Sequence, residues 1–170
     1  MVDGNMSTVE SVVPAVSTVE LSTVDDTRAF GYRLAALLHA GDLVVLTGPL
    51  GAGKTALAQG IGAGLGVTGP VTSPTFVIAR VHGGGRVPLV HADAYRLGAV
   101  DDPRGEVDAL DLDASAEDSV TVIEWGAPVA GQLDPDHLEI RIDRRDDDTR
   151  TVALVPHGAA WAGRLGTAGG

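Results

Sequence analysis

Leu43-Val44-Val45-Leu46-Thr47, followed by Gly48-Pro49-Leu50-Gly51-Ala52-Gly53-Lys54-Thr55, is the stretch that decides the fold. Residues 43–47 are a continuous apolar run of the kind that forms a strand buried on both faces. Gly48 to Thr55 then matches G-x-x-x-x-G-K-[ST] at every fixed position. Thr55 to Leu65, with Ala56, Leu57, Ala58, Ile61 and Leu65 and no proline, reads as a helix. Strand, glycine-rich turn and helix is the order a phosphate-binding loop requires, because the helix N-terminus adds its free N–H groups and positive dipole end to the site. Lys54 is the only lysine among 170 residues, the other eleven basic residues being arginine. A compact ammonium fits between phosphates, where a planar guanidinium prefers to fork onto one partner. Gly48, Gly51 and Gly53 let the backbone curl and approach an anion, and Pro49, Leu50 and Ala52 complete the cradle. Lys54 is placed to reach the β- and γ-phosphates, and the Thr55 hydroxyl to coordinate Mg²⁺.

Hydrophobic residues make up 44 % of the chain but aromatics only 4 %, so a core must be assembled from Val, Leu, Ile and Ala. The length suits one domain. With no cysteine, disulfides and thiolate metal sites are excluded, which fits a reducing compartment. Met1–Glu20 has neither a basic n-region nor a long apolar stretch, and no apolar run approaches the roughly 18 residues of a membrane span. A cytoplasmic protein without membrane attachment is expected. The formal charge is −11, which argues against direct high-affinity nucleic-acid binding, since that affinity comes largely from cationic side chains. Met1–Asp26 has five carboxylates and no basic residue, and Asp101–Asp118 has eight against Arg104 alone. Such segments are either solvated surface or a docking face for a basic partner protein.

Residues 1–20, rich in Ser, Thr and Val without helical periodicity, are expected to be a disordered leader. Residues 21–157 form a single P-loop domain, and 158–170 a flexible tail from which Trp161 can pack back. Asp25 or Asp26 can cap a helix running to about Leu38, with Phe30, Leu34, Leu37 and Leu38 on one face and Gly41 to stop it. Phe76–Val81 and Arg86–His91 read as two strands joined by the flexible His82-Gly83-Gly84-Gly85. A short helix and loop are expected over Asp101–Asp118. Val120–Glu124 is a second buried-type strand. Leu138–Ile142, which alternates strictly as a half-exposed strand should, and Thr151–Val155 suggest a closing antiparallel pair. The expected fold is α/β: a P-loop NTPase-like mixed β-sheet flanked by helices, with antiparallel strands toward the C-terminus.

A phosphate loop names a superfamily, so other motifs must decide the reaction. Val120-Thr121-Val122-Ile123-Glu124 has the form of a Walker B strand whose carboxylate emerges beside Mg²⁺. Leu89-Val90-His91-Ala92-Asp93 also ends in an acid, so Asp93 competes for the same task. Thr72-Ser73-Pro74-Thr75-Phe76 is a polar turn able to sense a γ-phosphate. His91 alone, in H-x-D, lacks the companions of a metal site. Guanine recognition by N-K-x-D is missing, the only asparagine being Asn5.

The order GPLGAGKT (48–55), TSPTF (72–76), HADAYRL (91–97), EWG (124–126) and HLEIRI (137–142) resembles the TsaE family, the small ATPase of bacterial tRNA threonylcarbamoyladenosine synthesis. The resemblance covers roughly Val24 to Leu154. It implies binding of ATP or ADP and Mg²⁺, and slow hydrolysis unless assembled with TsaD- and TsaB-like partners. In that system the ATPase resets the complex that modifies the adenosine next to the anticodon and does not touch the base. By the same resemblance Lys54 and Thr55 hold phosphates and metal, Glu124 and Asp93 serve the metal or the attacking water, and Thr72, Ser73 and Thr75 form the switch turn. Tyr95, Arg96 and Trp125 support the site or an interface. Adenine is expected around Thr23–Thr27. Pro49 and Gly126 depart from the family pattern without removing a ligand. The rival reading is a small P-loop kinase passing the γ-phosphate to a metabolite; the pair Arg144-Arg145 sits in a turn too short for its lid.

Overall fold

The structure, a computed structural model, describes residues 17–49, 51–71, 79–93, 117–124, 135–159 and 161. Seven strands form one sheet: β1 (Ser17–Leu21), β2 (Leu43–Thr47), β3 (Ala79–His82), β4 (Leu89–Asp93), β5 (Val120–Glu124), β6 (His137–Arg144) and β7 (Arg150–His157), in the order β1-β7-β6-β2-β5-β4-β3. β2 holds the centre and runs parallel to both β5 and β6, and β4 runs parallel to β5. The pairs β3–β4, β6–β7 and β1–β7 are antiparallel. The mixed sheet expected from sequence is therefore present. Its four parallel strands all end on one edge, where open α/β sheets place their ligands.

β2 and β5 are apolar runs because both faces are covered. Leu43 to Leu46 are at most 5 % exposed, and Val120 to Glu124 are all buried. β6 was expected to alternate between core and solvent, yet Leu138, Glu139 and Ile140 are all buried. β6 is an inner strand, paired on both sides. The Glu139 carboxylate is satisfied in place by Arg141 Nε at 2.9 Å and His157 Nε2 at 3.1 Å.

Two helices pack on one face, α1 (Val24–Leu34) and α2 (Lys54–Leu65). Thr23 caps α1, not the expected Asp25 or Asp26. Its hydroxyl accepts from Asp26 N–H at 3.0 Å, and the Asp26 carboxylate accepts from Thr23 N–H at 3.2 Å, a capping box. The helix is also shorter than expected, passing into a 3₁₀ turn at Ala35–Leu37 before Leu38 turns extended. The helices meet backbone to backbone. A Cβ on Gly31 would lie 2.6 Å from Leu57 O, one on Gly64 would lie 2.6 Å from Tyr32 O, and one on Gly60 would collide with Arg28 O. Leu57, Ala58, Ile61 and Leu65 of α2 then fill the space over Val44, Leu46, Val122 and Ile140.

The ends of the domain differ from expectation. Ser17–Glu20, assigned to the leader, belong to β1 and pair with the outer edge of β7 as far as Leu21↔Arg150. Leu21 is buried there, and an unpaired edge gains from such a cover. Trp161, by contrast, packs back from the tail segment as the sequence allowed: it is 1 % exposed and lies in the core. Residues 1–16 and 162–170 lie outside the described residues. The β3–β4 connection is fastened rather than loose: Arg86 Nη2 donates to Ala35 O at 2.5 Å and Leu38 O at 2.9 Å, and Arg86 N–H to Leu65 O at 3.0 Å.

Gly60→Ala should destabilise the protein by about 1–3 kcal/mol, because a methyl there must push α1 off α2. Urea unfolding measures it, and a loss under about 0.5 kcal/mol would mean the helices part freely. Burial alone would raise the Glu139 carboxyl, but Arg141 and His157 outweigh it and hold the group below the usual carboxylate value. A depressed folded value gives stability that is complete above the unfolded value and lost as pH falls through the folded one. Glu139→Gln should lower the urea midpoint at neutral pH and flatten its fall below about pH 5. An unchanged acid slope would remove Glu139 from the account.

Candidate functional site

The chain leaves β2 at Thr47 and turns sharply. Gly48 lies so close to β6 that a Cβ would collide with Ile142 O. Gly53, at φ 113°, takes a left-handed conformation that a side chain would strain and opens directly into α2. Among the described residues no side chain caps α2 there, which leaves the first-turn N–H groups available at the sheet edge.

Lys54 is the first residue of α2 and is 5 % exposed. Its ammonium donates to the carbonyl oxygens of Gly48 at 2.8 Å and Pro49 at 2.9 Å, folding the side chain back along its own loop. Burial lowers its pKa from the ordinary lysine value, and the Glu124 charge partly offsets this. Thr55 Oγ donates to the Glu124 carboxylate at 3.2–3.3 Å. Glu124 ends β5, directly beside Leu46 of β2 and Asp93 of β4. Lys54, Thr55 and Glu124, separated by up to 70 positions in sequence, thus stand together.

His91 is the residue whose role sequence reasoning missed. It is fully buried, and its Nε2 lies 2.7 Å from Glu124 Oε2. The signal that could have found it is register: His91 and Asp93 lie on one side of β4, next to a strand that ends in an acid. His91 is therefore an anchor for a carboxylate. The register puts Asp93 level with Glu124, but its side chain lies outside the described residues. So do Leu50, Thr72, Ser73, Thr75, Tyr95, Arg96, Trp125 and Gly126. In the Thr23–Thr27 segment, Thr23 and Asp26 are occupied in the capping box, and the Thr27 hydroxyl donates to Thr23 O at 3.3 Å.

The donor set is a hydroxyl, a carboxylate and an amine, hard ligands that suit phosphate and Mg²⁺ and not a thiophilic ion. Among the described residues no group of three or more His, Asp or Glu could hold a metal unaided. A cavity of about 460 Å³ also opens beside Thr47, Gly48 and Pro49, bounded by Arg141, Asp143, Arg145 and Thr151. Arg141, Asp143 and Thr151 alternate along β6 and β7 with the core residues Ile140, Ile142 and Val152, so these three side chains lie on the sheet face away from the helices. Among the described residues no helix is long and apolar enough to cross a membrane.

Residues 21–152 match the family model described as threonylcarbamoyl adenosine biosynthesis protein TsaE. A tRNA threonylcarbamoyladenosine biosynthesis protein TsaE from Streptomyces coelicolor is 56 % identical over 142 residues, covering 79 % of this chain and 93 % of that one. The Bacillus subtilis protein of the same name is 36 % identical, over 79 % of this chain and 82 % of its own. The crystal structure of Bacillus subtilis YdiB superposes with a TM-score of 0.74 at 28 % identity, covering 91 % of this chain and 97 % of that one. The chain belongs to the TsaE family of threonylcarbamoyl adenosine biosynthesis proteins.

Proposed function

We propose that, within tRNA threonylcarbamoyladenosine biosynthesis, this chain is the Mg²⁺-dependent subunit that binds and hydrolyses ATP, acting in the cytoplasm on a TsaD–TsaB complex and not on the base. The observation that carries the reading is the meeting of the Thr55 hydroxyl with the Glu124 carboxylate at 3.2 Å, next to a buried lysine at the mouth of a glycine loop. A triphosphate needs a cation between its phosphates, amides around them and oxygen ligands for its metal. Lys54, the turn 48–53 and the Thr55–Glu124 pair have those chemistries in that order.

In this mechanism Lys54 exchanges the Gly48 and Pro49 carbonyls for phosphate oxygens. Bound Mg²⁺ would neutralise charge on the β- and γ-phosphates. Thr55 and Glu124 would hold it, and His91 keeps the Glu124 carboxylate aimed at the loop. Asp93, at the next strand end, is the second carboxylate, suited to orienting an attacking water. A chain of charge −11 is poorly suited to grip tRNA. Its acidic segments instead suit a basic protein partner, which leaves tRNA contact to the complex it serves.

Lys54→Ala should weaken ATP binding at least roughly thirtyfold, since it removes a buried charge from the contact. The same variant should lose ATP-dependent co-purification with TsaD- and TsaB-like proteins. Retained affinity in calorimetry, with circular dichroism showing an intact fold, would move the site elsewhere. Glu124→Gln keeps the shape and removes the charge. It should cut Mg²⁺-dependent phosphate release by about a hundredfold or more while ATP affinity changes only a few-fold. Equal losses in both would make Glu124 structural, and stoichiometric phosphoryl transfer to a metabolite would favour a kinase.

A further inference from the structure

Two imidazole nitrogens, His91 Nδ1 and His82 Nε2, are buried without a hydrogen-bond partner among the described residues. Strand register brings them to one place. In the antiparallel β3–β4 pair, Arg80 stands opposite His91 and His82 opposite Leu89. Leu89 packs toward α2, its Cδ2 lying 3.4 Å from where a Cβ on Gly62 would stand. Directly paired residues share a face, so His82 and His91 are diagonal neighbours on the helix-bearing side of the sheet. Such positions stand roughly 7 Å apart, within reach of two rings. The other buried orphans lie elsewhere: Thr121 Oγ1 on the opposite face of β5, Ser119 Oγ ahead of β5, and Arg150 Nε beside Gly53.

The hydrogen bonds already made fix what each nitrogen needs. A carboxylate only accepts, so the 2.7 Å contact with Glu124 makes His91 Nε2 a donor. In that tautomer Nδ1 carries a lone pair and requires a donor of its own. The His91 side chain is fully buried, so bulk water cannot supply one. His82 is half-buried and is held below the ordinary histidine value, first by burial, then by the charges of His91 and Arg80. At neutral pH it is an uncharged ring with one donor and one acceptor. Arg80, the cation opposite His91, is exposed. Two bare buried nitrogens would each cost stability, and one water held between them satisfies both.

We propose that His82 Nε2 and His91 Nδ1 hold one buried water between them, and that His82 is thereby a positioning residue for Glu124. Every donor in this chain points the same way: His82 Nε2–H to the water, the water to His91 Nδ1, and His91 Nε2–H to the carboxylate. Hydrogen bonds so aligned polarise one another. The water also fixes the His91 tautomer that Glu124 requires, as the outer partner of a working imidazole commonly does. The chain runs from the end of β5 at the loop down to His82, the last residue of β3, where Arg86 fastens the connection to the helix ends. Glu124 is thus braced from the opposite edge of the sheet. That this bracing serves hydrolysis rests on the reading of Glu124 above; the water itself does not.

A crystal structure of the full chain should show a water about 2.7–3.2 Å from both nitrogens. Nitrogen NMR of the ligand-free protein should find His91 protonated at Nε2, with Nδ1 moved upfield of an unbonded ring nitrogen. His82→Leu should return that nitrogen to the unbonded position. The same variant should lower Mg²⁺-dependent phosphate release roughly tenfold while ATP affinity stays within about twofold. His82→Gln, whose amide stands in for Nε2, should keep the upfield shift and most of the rate. The crystal and the spectrum of the unchanged protein decide the matter even if the leucine variant does not fold. A pocket without the water, or Arg80 bonded to His91 Nδ1 in its place, would overturn the inference. So would a His91 spectrum unmoved by His82→Leu, or a glutamine variant as slow as the leucine one. An unchanged protein that shows the water but fails to bind ATP would instead remove the phosphate-loop reading, and with it the part of His82 in hydrolysis.

Discussion

A buried ammonium is the constraint around which the site is organised. Lys54 is almost entirely withdrawn from water, and a cation there is tolerable only if hydrogen-bonded and partly neutralised. Two carbonyls of its own loop do the first, which requires the chain to curl back on itself between Gly48 and Gly53. Glu124 does the second, which requires β5 to lie directly beside β2. The direction of α2 is fixed as well, because Lys54 is its first residue. That direction is set by glycines at the α1–α2 contact, where backbones touch without side chains between them. The small residues that make this helix pair look weak in sequence are what bring its N-terminus to the loop.

The carboxylate partner is held from two sides. Thr55 approaches from α2 and His91 from β4, so a helix and two neighbouring strands converge on one carboxylate. In spending Nε2 on Glu124, His91 leaves its buried Nδ1 without a partner among the described residues. An unpartnered buried nitrogen costs stability. Its acceptance here fits a side chain selected for aiming Glu124 and not for the core alone.

Much of this was legible in the sequence, for a physical reason. A strand buried on both faces and a phosphate loop are local patterns, so Leu43–Thr55, Val120–Glu124 and the pairing of Lys54, Thr55 and Glu124 could be read from spacing and residue type. What escaped depends on neighbours that the chain does not place nearby. Ser17–Glu20 becomes a strand only because β7 offers it an edge. Glu139 is buried only because β6 is an inner strand with Arg141 and His157 to answer its charge. Thr23 displaced Asp25 and Asp26 as the helix cap because a capping box rewards an acid three residues later. His91 needed the parallel β4–β5 register before its partner could be known.

The two hairpins of the sheet show how direction decides use. β4 runs parallel to β5, so the turn leading into it falls at the edge where the parallel strands begin, remote from the loop. There Arg86 ties down the carbonyls of Ala35, Leu38 and Leu65, and the connection braces the helix ends. β6 runs parallel to β2, so its turn into β7 falls at the edge where the parallel strands finish, beside Gly51 and Gly53. The glycine-rich connection at the far edge is tied to the helix ends, however flexible its sequence looks. An arginine-rich turn at the near edge stands beside the loop, however short it looks for a lid. Position along the sheet, fixed by strand direction, outweighs composition in telling the two apart.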